Sequence, residues 1–258
     1  MADLFDMKLR ALRRDRAARI GPELFLYERA FADCLERLAL VQRRFARALL
    51  IGSPDAGWPA RLGSFADNVQ VREPGPLFAE RAGGDVLVED SWKPGPDAHD
   101  LVVAIGTLDT VNDLPMALRL IRASMSAGGL FLGAFSGGDT LPQLRNAMRA
   151  VDSATGAAAP HVHPRIEASA LAPLLAAAGF IEPVVDVDRA SVSYRSLERL
   201  VADLRAMGGT NLLNARPRFV GRKARATGIS AFAEAADGGR TVEKFEVLHF
   251  AAWTPDKG

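Results

Sequence analysis

The sequence predicts a doubly wound α/β fold built on a seven-stranded, mostly parallel sheet, with a helical extension at its N-terminus. Short, continuous apolar runs alternate with stretches of helical periodicity, which indicates a parallel sheet covered by helices on both faces. Right-handed crossovers wind the helices of such a sheet onto its two sides. Five strand–helix units come first, and two further strands follow, the last of them reached by the turn Asp237-Gly238-Gly239.

Composition limits the classes of protein to which the chain can belong. With 258 residues and 48% apolar content it can bury a full core. A net charge of +1 creates no global field toward nucleic acid or membrane. No apolar run approaches the roughly 18 residues of a membrane span, and the first residues lack the pattern of a signal peptide. Cys34 is the single cysteine, which suits a reducing compartment, so we expect a cytoplasmic protein without an internal disulfide.

Residues 1–45 are expected to form the helical extension and residues 46–258 the α/β domain, packed as one compact unit. Residues 4–19 are basic and amphipathic. Charge runs of this kind are usually solvated helix faces, and docking on a partner is the alternative. Gly21-Pro22 ends this segment. From Glu23 to Phe45 apolar residues recur at helical spacing and predict one long helix with a buried face.

The remaining elements follow from the same periodicities. Apolar runs predict strands at 48–51, 68–72, 85–88, 101–105, 129–135, 183–192 and 241–253. Amphipathic stretches predict helices at 113–125, from 139 onward, and at 167–178, 194–207 and 219–235, with a loop at 208–217. Thr140, with Gln143 three residues later, fits a capping box at the start of the helix that follows the fifth strand.

The loop after the first strand has the position of a nucleotide-binding turn. Gly52, Ser53 and Gly57 are the predicted cofactor residues here, because backbone N–H groups can approach a ligand where no Cβ stands in the way. Pro54 supplies no N–H, and Leu50 stands where such loops often carry an acid. The alternative is an ordinary strand–helix turn whose ancestor bound a cofactor.

Acidic residues follow the second and third strands, where a cofactor would lie. Glu73 could accept hydrogen bonds from a ribose diol, and Glu89 or Asp90 could reach an adenine amino group. Ile105 ends the fourth strand and is assigned to the same site. Each acid has an alternative reading as an ordinary loop residue.

Candidate substrate groups follow the fourth and fifth strands. Asp109 is the better catalytic candidate, because its carboxylate follows a strand's carboxyl end inside the presumed cleft. Asp139 is either a second site acid or a helix cap. The spacing of His161 and His163 lacks the further ligands that a metal site needs, so no metal is expected. The predicted substrate-binding residues are Gly137, Gly138, Thr140, Arg145 and His161.

Several segments together resemble a known family over nearly the whole chain. The most specific is Gly-Gly-Asp-Thr-Leu at 137–141, followed by Leu144-Arg145 and Pro160-His161. Val-Asn-Asp-Leu-Pro at 111–115 and Arg-Asp-Arg-Ala-Ala at 14–18 also match. These residues resemble the complex I assembly factor of methyltransferase fold, a family of protein arginine hydroxylases, and its bacterial relatives. More distantly, the chain is similar to the malonyl-carrier-protein methyltransferase of biotin synthesis.

The resemblance implies the Rossmann-like fold of class I S-adenosylmethionine-dependent methyltransferases, with S-adenosylmethionine as cofactor. It also implies a protein substrate or partner, such as a subunit of respiratory complex I. The net charge of +1 gives no reason to expect a nucleic acid partner. A pseudoenzyme that binds its partner through the old cleft and the basic helix is one alternative, and a small-molecule methyltransferase is another. Pro54 and Ala56 in the first loop favour the pseudoenzyme, whereas the retained Gly137–Thr140 segment and Glu73 oppose it.

Overall fold

A computed structural model describes residues 3–215 and 220–256. Within these residues one sheet is formed by β1 (Phe45–Ile51), β2 (Ala66–Glu73), β3 (Asp85–Val86), β4 (His99–Ile105), β5 (Met125–Gly137), β6 (Ile181–Tyr194), β7 (Ala236–Asp237) and β8 (Arg240–Trp253). The strand order is β3-β2-β1-β4-β5-β8-β6, and the two-residue β7 forms a hairpin with the start of β8. All neighbours from β3 to β5 are parallel, whereas β8 runs antiparallel to both β5 and β6. The predicted doubly wound fold is confirmed, with β7 as an addition to the seven expected strands.

Helices cover both faces of this sheet. In the described part of the chain they are α1 (Met7–Ile20), α2 (Phe25–Leu40), α3 (Trp58–Leu62), α4 (Pro76–Arg81), α5 (Leu114–Ser124), α6 (Pro142–Thr155), α7 (Ala168–Ala177), α8 (Leu197–Ala206) and α9 (Arg222–Glu234), with a 3₁₀ turn at Leu108–Thr110. None of the described helices is both long and apolar enough to cross a membrane. The predicted start of the last helix at Phe219, the end of the loop at 208–217 and the first two residues of the chain lie outside the described residues.

The hydrophobic core has two main parts, one on each side of the sheet. Leu49 and Ile51 of β1 pack with α5 and α7 on one face, while the intervening Leu50 packs with α2 on the other. This alternation follows from the period of two along a strand. Both faces of the central strands are therefore apolar, which is why β1 and β4 read as continuous apolar runs.

The single long helix predicted from Glu23 to Phe45 is wrong in its last five residues. Helix α2 ends at Leu40, and β1 begins at Phe45. Gln42 adopts a φ of 48°, in the left-handed region, and so breaks the helix. The backbone N–H of Phe45 then donates to the carbonyl of Phe65 at 2.9 Å, so this apolar residue belongs to β1 and not to the helix.

The start of α6 also differs from the prediction. Glu243 of β8, rather than Thr140, caps this helix, since its carboxylate accepts the backbone N–H groups of Gln143 (3.2 Å) and Leu144 (2.9 Å). Leu141 has a φ of 64°, which turns the chain and separates Thr140 from the helix. Burial raises the pKa of Glu243, while the backbone N–H groups oppose that shift.

Candidate functional site

A small cavity lies at the carboxyl ends of β4 and β5, where folds of this kind hold their ligands. Its volume is about 90 Å³, whereas ligand pockets usually measure about 300–1,000 Å³. The N-terminal helix α1 forms part of its wall. The polar residues that line the cavity include Arg10, Arg14, Tyr27, Asp109, Ser136, Thr140, His163 and Arg165.

Glu73 is fully buried, and both of its carboxylate oxygens are already hydrogen-bonded. Arg14 of α1 forms a bidentate ion pair with it, donating from Nε to Oε1 and from Nη2 to Oε2, the latter at 2.8 Å. The backbone N–H groups of Ser53 and Gly75 donate to the same carboxylate, each at 2.8 Å. Burial disfavours the charged guanidinium, but the charge and hydrogen bonds of Glu73 outweigh it and raise the pKa of Arg14. The Glu73 carboxylate, which was predicted to bind a ribose, is therefore paired with Arg14 of the same chain.

Glu89 has the same kind of partner. Arg10 donates to its two oxygens from Nη1 (2.7 Å) and Nη2 (2.8 Å), and Nη2 also donates to the carbonyl of Thr107 at 2.6 Å. Arg10 is 2% exposed and Glu89 is fully buried. Glu73 at the end of β2 and Glu89 after β3, which were expected to contact a cofactor, are thus neutralised by two arginines one helical turn apart on α1.

Asp90 forms hydrogen bonds with the loop after β4 and is not among the residues that line the cavity. Its Oδ2 accepts the backbone N–H groups of Asn112 (3.1 Å) and Asp113 (3.0 Å). Asn112 in turn exchanges two hydrogen bonds with the backbone of Phe5, which precedes α1. Asp113 caps α5 through the N–H of Met116, at 2.8 Å. The adenine contact predicted for Asp90 is replaced by a link between this loop and the start of the chain.

The first loop is packed against the sheet. Gly52 has a φ of 84°, and a Cβ there would lie 2.2 Å from the carbonyl oxygen of Ile105. Its N–H donates to the carbonyl of Arg72 at 2.9 Å. Gly57 donates its N–H to Asp55 Oδ1 at 2.6 Å. The glycines thus serve close packing and a local turn, while Ile105 alone of the predicted cofactor residues lines the cavity.

The two candidate catalytic acids lie apart. Asp109 lines the cavity, where its carboxylate forms an ion pair with Arg165, and both side chains are largely buried. Asp139 is exposed, lies outside the cavity lining, and donates its backbone N–H to Glu246 Oε2 at 3.1 Å. Its prediction as a second acid in the cleft is not supported by this geometry, because the turn that follows β5 directs it toward β8.

The predicted substrate residues are divided in the same way. A Cβ on Gly137 would lie 2.5 Å from the side chain of Leu248, and one on Gly138 would lie 1.9 Å from Glu246 Oε2, so both glycines make room for β8. Thr140 lines the cavity, although its hydroxyl donates to the carbonyl of Gly137 at 2.7 Å.

Arg145 and His161 lie outside the cavity, in an adjoining surface depression. His161 Nε2 bonds to Asp152 Oδ1 at 2.7 Å. Among the described residues, no group of three His, Cys, Asp or Glu side chains is arranged to hold a metal ion.

Sequence reasoning missed the arginines that fill the cleft. The expectation of a solvated face over residues 4–19 is wrong for Arg10 and Arg14, because buried carboxylates pair with both. Their spacing of four residues on one helix face was the available signal. Arg165 and Tyr27 were missed as well, since nothing in their local sequence distinguishes them.

His163 is a buried, neutral histidine at the edge of the cavity. Its Nε2 accepts the backbone N–H of Leu212 at 2.8 Å. Burial, followed by the positive charges of Arg165, Arg13 and Arg145, lowers the pKa of His163 to about 3. The imidazole therefore stays uncharged in the folded protein at neutral pH.

This depressed pKa predicts that acid destabilises the fold through His163. In the unfolded chain its pKa returns to roughly 6.5, so between about pH 6.5 and the folded value of about 3 the unfolded state binds the extra proton. The free energy of unfolding then falls by up to about 1.4 kcal/mol for each pH unit of acidification. Urea unfolding from pH 7 to pH 4 measures this slope. His163→Gln, whose amide oxygen can still accept the Leu212 N–H, should show a shallower slope, and equal slopes would contradict the assignment.

Comparison with known proteins gives relatives that are named as a hydroxylase and as methyltransferases. No family model matches the chain. It is 28% identical to the mitochondrial arginine-hydroxylase NDUFAF5 of Rattus norvegicus over 272 residues, covering 97% of this chain and 77% of the relative. It is 31% identical to the "Putative methyltransferase RP459" of Rickettsia prowazekii over 156 residues, covering 59% of this chain and 69% of the relative. The malonyl-[acyl-carrier protein] O-methyltransferase of Laribacter hongkongensis is 31% identical over 169 residues, which are 62% of this chain and 55% of the relative.

A solved structure supports the same fold. The N-methyltransferase NodS of Bradyrhizobium japonicum, in complex with S-adenosyl-L-homocysteine, has a TM-score of 0.52 and 15% identity, covering 97% of this chain and all of NodS. The sheet order and these neighbours identify a class I methyltransferase-like fold.

Proposed function

Since the chain belongs to the methyltransferase-fold family of NDUFAF5 and RP459, we propose that it acts on a protein partner in the assembly of a respiratory complex. We further propose that it does so as a scaffold, with its ancestral cofactor cleft closed by α1. The relationship to NDUFAF5 and the resemblance to complex I assembly factors support the partner and its setting. The geometry of the cleft supports the scaffold.

The ion pairs of Arg10 and Arg14 support the scaffold most directly. They involve Glu89 and Glu73, the two acids that were expected to bind a cofactor. S-adenosylmethionine would have to displace two bidentate, buried ion pairs. Breaking a buried pair so that one charge is left alone costs about 3–5 kcal/mol, while a micromolar ligand gains only about 8 kcal/mol in all. Displacing both arginines would therefore consume most or all of the binding free energy of an ordinary cofactor complex.

The backbone at the start of the first loop also offers few donors to a cofactor. The N–H of Gly52 is bonded to Arg72 and that of Ser53 to Glu73, and Pro54 has no N–H. A backbone N–H that already has an acceptor inside the protein is not free to bind a ligand. We therefore assign no catalytic step to S-adenosylmethionine in this chain.

The proposal is tested by complementation. Deleting the gene from the source organism should reduce the amount of assembled complex I on native gels, and the wild-type chain should restore it. Asp109→Asn should restore it equally, because a scaffold needs no carboxylate there. The thermal stability of the Asp109→Asn variant is measured in parallel to exclude a folding defect. Normal complex I without the chain would contradict the respiratory role, and a stable but inactive Asp109→Asn would contradict the scaffold.

A cofactor titration provides the second arm. We expect no thermal shift with S-adenosylmethionine or S-adenosylhomocysteine at millimolar concentration. A ligand at 100 times its Kd would stabilise the protein by about 2.7 kcal/mol, which is readily detected. A saturable shift of the melting temperature would contradict the proposal that α1 closes the cofactor cleft.

A further inference from the structure

The cavity at the carboxyl ends of β4 and β5 is larger than a site for a single ordered water molecule. Its volume is about 90 Å³, whereas one water molecule needs only about 10–15 Å³ of such space. A cavity of about 150 Å³ binds benzene. The space beneath α1 therefore has the size of an organic molecule somewhat smaller than benzene.

Many of the side chains that line this cavity are apolar. They include Leu26 and Ala30 of α2, Phe135 of β5, Leu204 of α8 and Phe245 of β8. Leu26 is partly buried, and the other four are buried. A molecule that fills the cavity must therefore contain hydrocarbon, because a fully polar one would lose its hydration against these side chains.

The charged groups of the lining are already paired with groups of opposite sign. The three pairs are Arg10 with Glu89, Arg14 with Glu73 and Arg165 with Asp109. An ion that entered the cavity would meet no unpaired counter-charge, and burial of an unpaired charge is costly. The charge balance of the wall therefore favours an uncharged ligand.

The two other titratable side chains of the lining are uncharged at neutral pH. Burial and nearby positive charges lower the pKa of His163 to about 3. Burial raises the pKa of Tyr27, so its phenol keeps its proton. Neither side chain changes the charge balance of the wall.

Charges of both signs lie outside the lining. Arg13 and Arg145 act on His163, although neither of them lines the cavity. The pKa of Arg145 is lowered by burial and by like charges, and it is raised by the carboxylates of Asp139 and Glu243. Because positive and negative groups both surround the cavity, the test below includes an anion and a cation of the same size as the uncharged ligand.

One buried donor of the lining has no acceptor. The side chain of Arg165 is 8% exposed, and its Nη1 donates to Asp109 at 2.5 Å. Its Nε is buried and has no hydrogen-bond partner among the described residues. The hydroxyls of Tyr27 and Thr140, by contrast, already donate to backbone carbonyls. A buried N–H without an acceptor is costly, so a ligand oxygen beside Arg165 would be stabilising.

We propose that this cavity binds a small, uncharged organic molecule of about four to six non-hydrogen atoms, whose hydrocarbon part packs against the apolar lining and whose carbonyl or hydroxyl oxygen accepts the Nε–H of Arg165. Such a molecule is neither S-adenosylmethionine nor a protein, so the inference goes beyond the scaffold role and does not depend on it. Arg10 and Arg14 of α1 line the cavity. The bound molecule would therefore stabilise the docked position of this helix.

Two-dimensional NMR of the isotope-labelled, full-length protein tests the proposal. The uncharged probes are butanone and propionamide, and the charged probes of the same size are propionate and butylammonium. Molecules this small bind weakly, so each probe is titrated into the millimolar range. We expect saturable shifts with both uncharged probes, largest at the backbone amides of Gly106, Ser136 and Gly209, which line the cavity. The charged probes should give no saturable shift.

Three variants locate the binding site. Ala30→Leu places a larger side chain in the cavity and should abolish saturable binding, whereas Ala39→Leu, the same change at an exposed position of α2, should leave it unchanged. Arg165→Lys keeps the positive charge beside Asp109 but lacks the Nε–H. Its affinity for butanone should fall about three- to tenfold, which corresponds to the loss of one hydrogen bond. The melting temperature of each variant shows whether it is folded.

Several results would overturn the proposal. No saturable shift with either uncharged probe would leave the cavity to water alone, and equal binding of propionate or butylammonium would refute the uncharged class of ligand. Unchanged binding by Ala30→Leu at equal thermal stability would place the site elsewhere, and unchanged affinity of Arg165→Lys would refute the Nε–H as donor. Complementation tests the respiratory role separately, so butanone binding by a chain that complex I assembly does not need would refute that role and leave the cavity assignment intact.

Discussion

Glu73→Gln is expected to lower the free energy of unfolding by about 3–5 kcal/mol. The substitution keeps the shape of the side chain but leaves the guanidinium of Arg14, which is 5% exposed, without a counter-charge. It also replaces one carboxylate oxygen with an NH2 donor, so one of the backbone N–H groups of Ser53 and Gly75, which bond to different oxygens of Glu73, loses its acceptor. Urea unfolding of wild type and variant at pH 7 measures the difference.

Two controls separate the buried charge from a general effect. Asp188→Asn breaks an ion pair with Arg29, whose side chains are 24% and 59% exposed, and exposed pairs contribute only about 0–1 kcal/mol. Combining Glu73→Gln with Arg14→Met removes the stranded charge, so the double variant should be more stable than Glu73→Gln alone. If the double variant is no more stable, the buried ion pair is not what holds α1 in the cleft.

The strands were predictable because their signal is local. The strands β1 and β4 are buried on both faces, so their apolar runs are continuous and mark them without knowledge of their neighbours. The position of the cleft was predictable once the strands were known, since it follows from where parallel strands end. Helix ends were less predictable. α2 stops where Gln42 adopts a left-handed conformation, and no strong breaker marks that position.

The contents of the cleft were not predictable, because they depend on distant pairs. Arg14 and Glu73 are separated by 59 residues, and Arg10 and Glu89 by 79. Taken singly, each residue has an unremarkable interpretation: the arginines belong to a charge run and the acids follow strands. Only the packing of α1 against α4 and α8 brings them together. The prediction of Glu73 as a cofactor ligand identified a buried acid at the right strand end but not its partner.

Trp58→Ala is expected to destabilise the fold by about 3–5 kcal/mol, as deletion of a large buried aromatic side chain usually does. Trp58 follows the first loop, opens α3 and is fully buried. Its ring stacks on Phe31 of α2, with 4.3 Å between centroids and 13° between planes. Its Nε1 donates to Glu28 Oε2 at 2.9 Å. The variant therefore loses packing and a hydrogen bond that join α3 to α2.

Trp58→Phe retains a ring against Phe31 but loses the bond to Glu28 and the smaller ring of the indole. Its expected loss, measured by the same urea unfolding, is smaller than that of Trp58→Ala and at least the roughly 1 kcal/mol of a hydrogen bond. A small loss in Trp58→Ala would mean that α3 is only loosely attached and that the loop from Gly52 to Gly57 can rearrange around a ligand. A large loss in Trp58→Ala with a small one in Trp58→Phe would mean that ring packing fixes the loop. The first loop and α1 would then close the cleft from two sides, as the scaffold proposal requires.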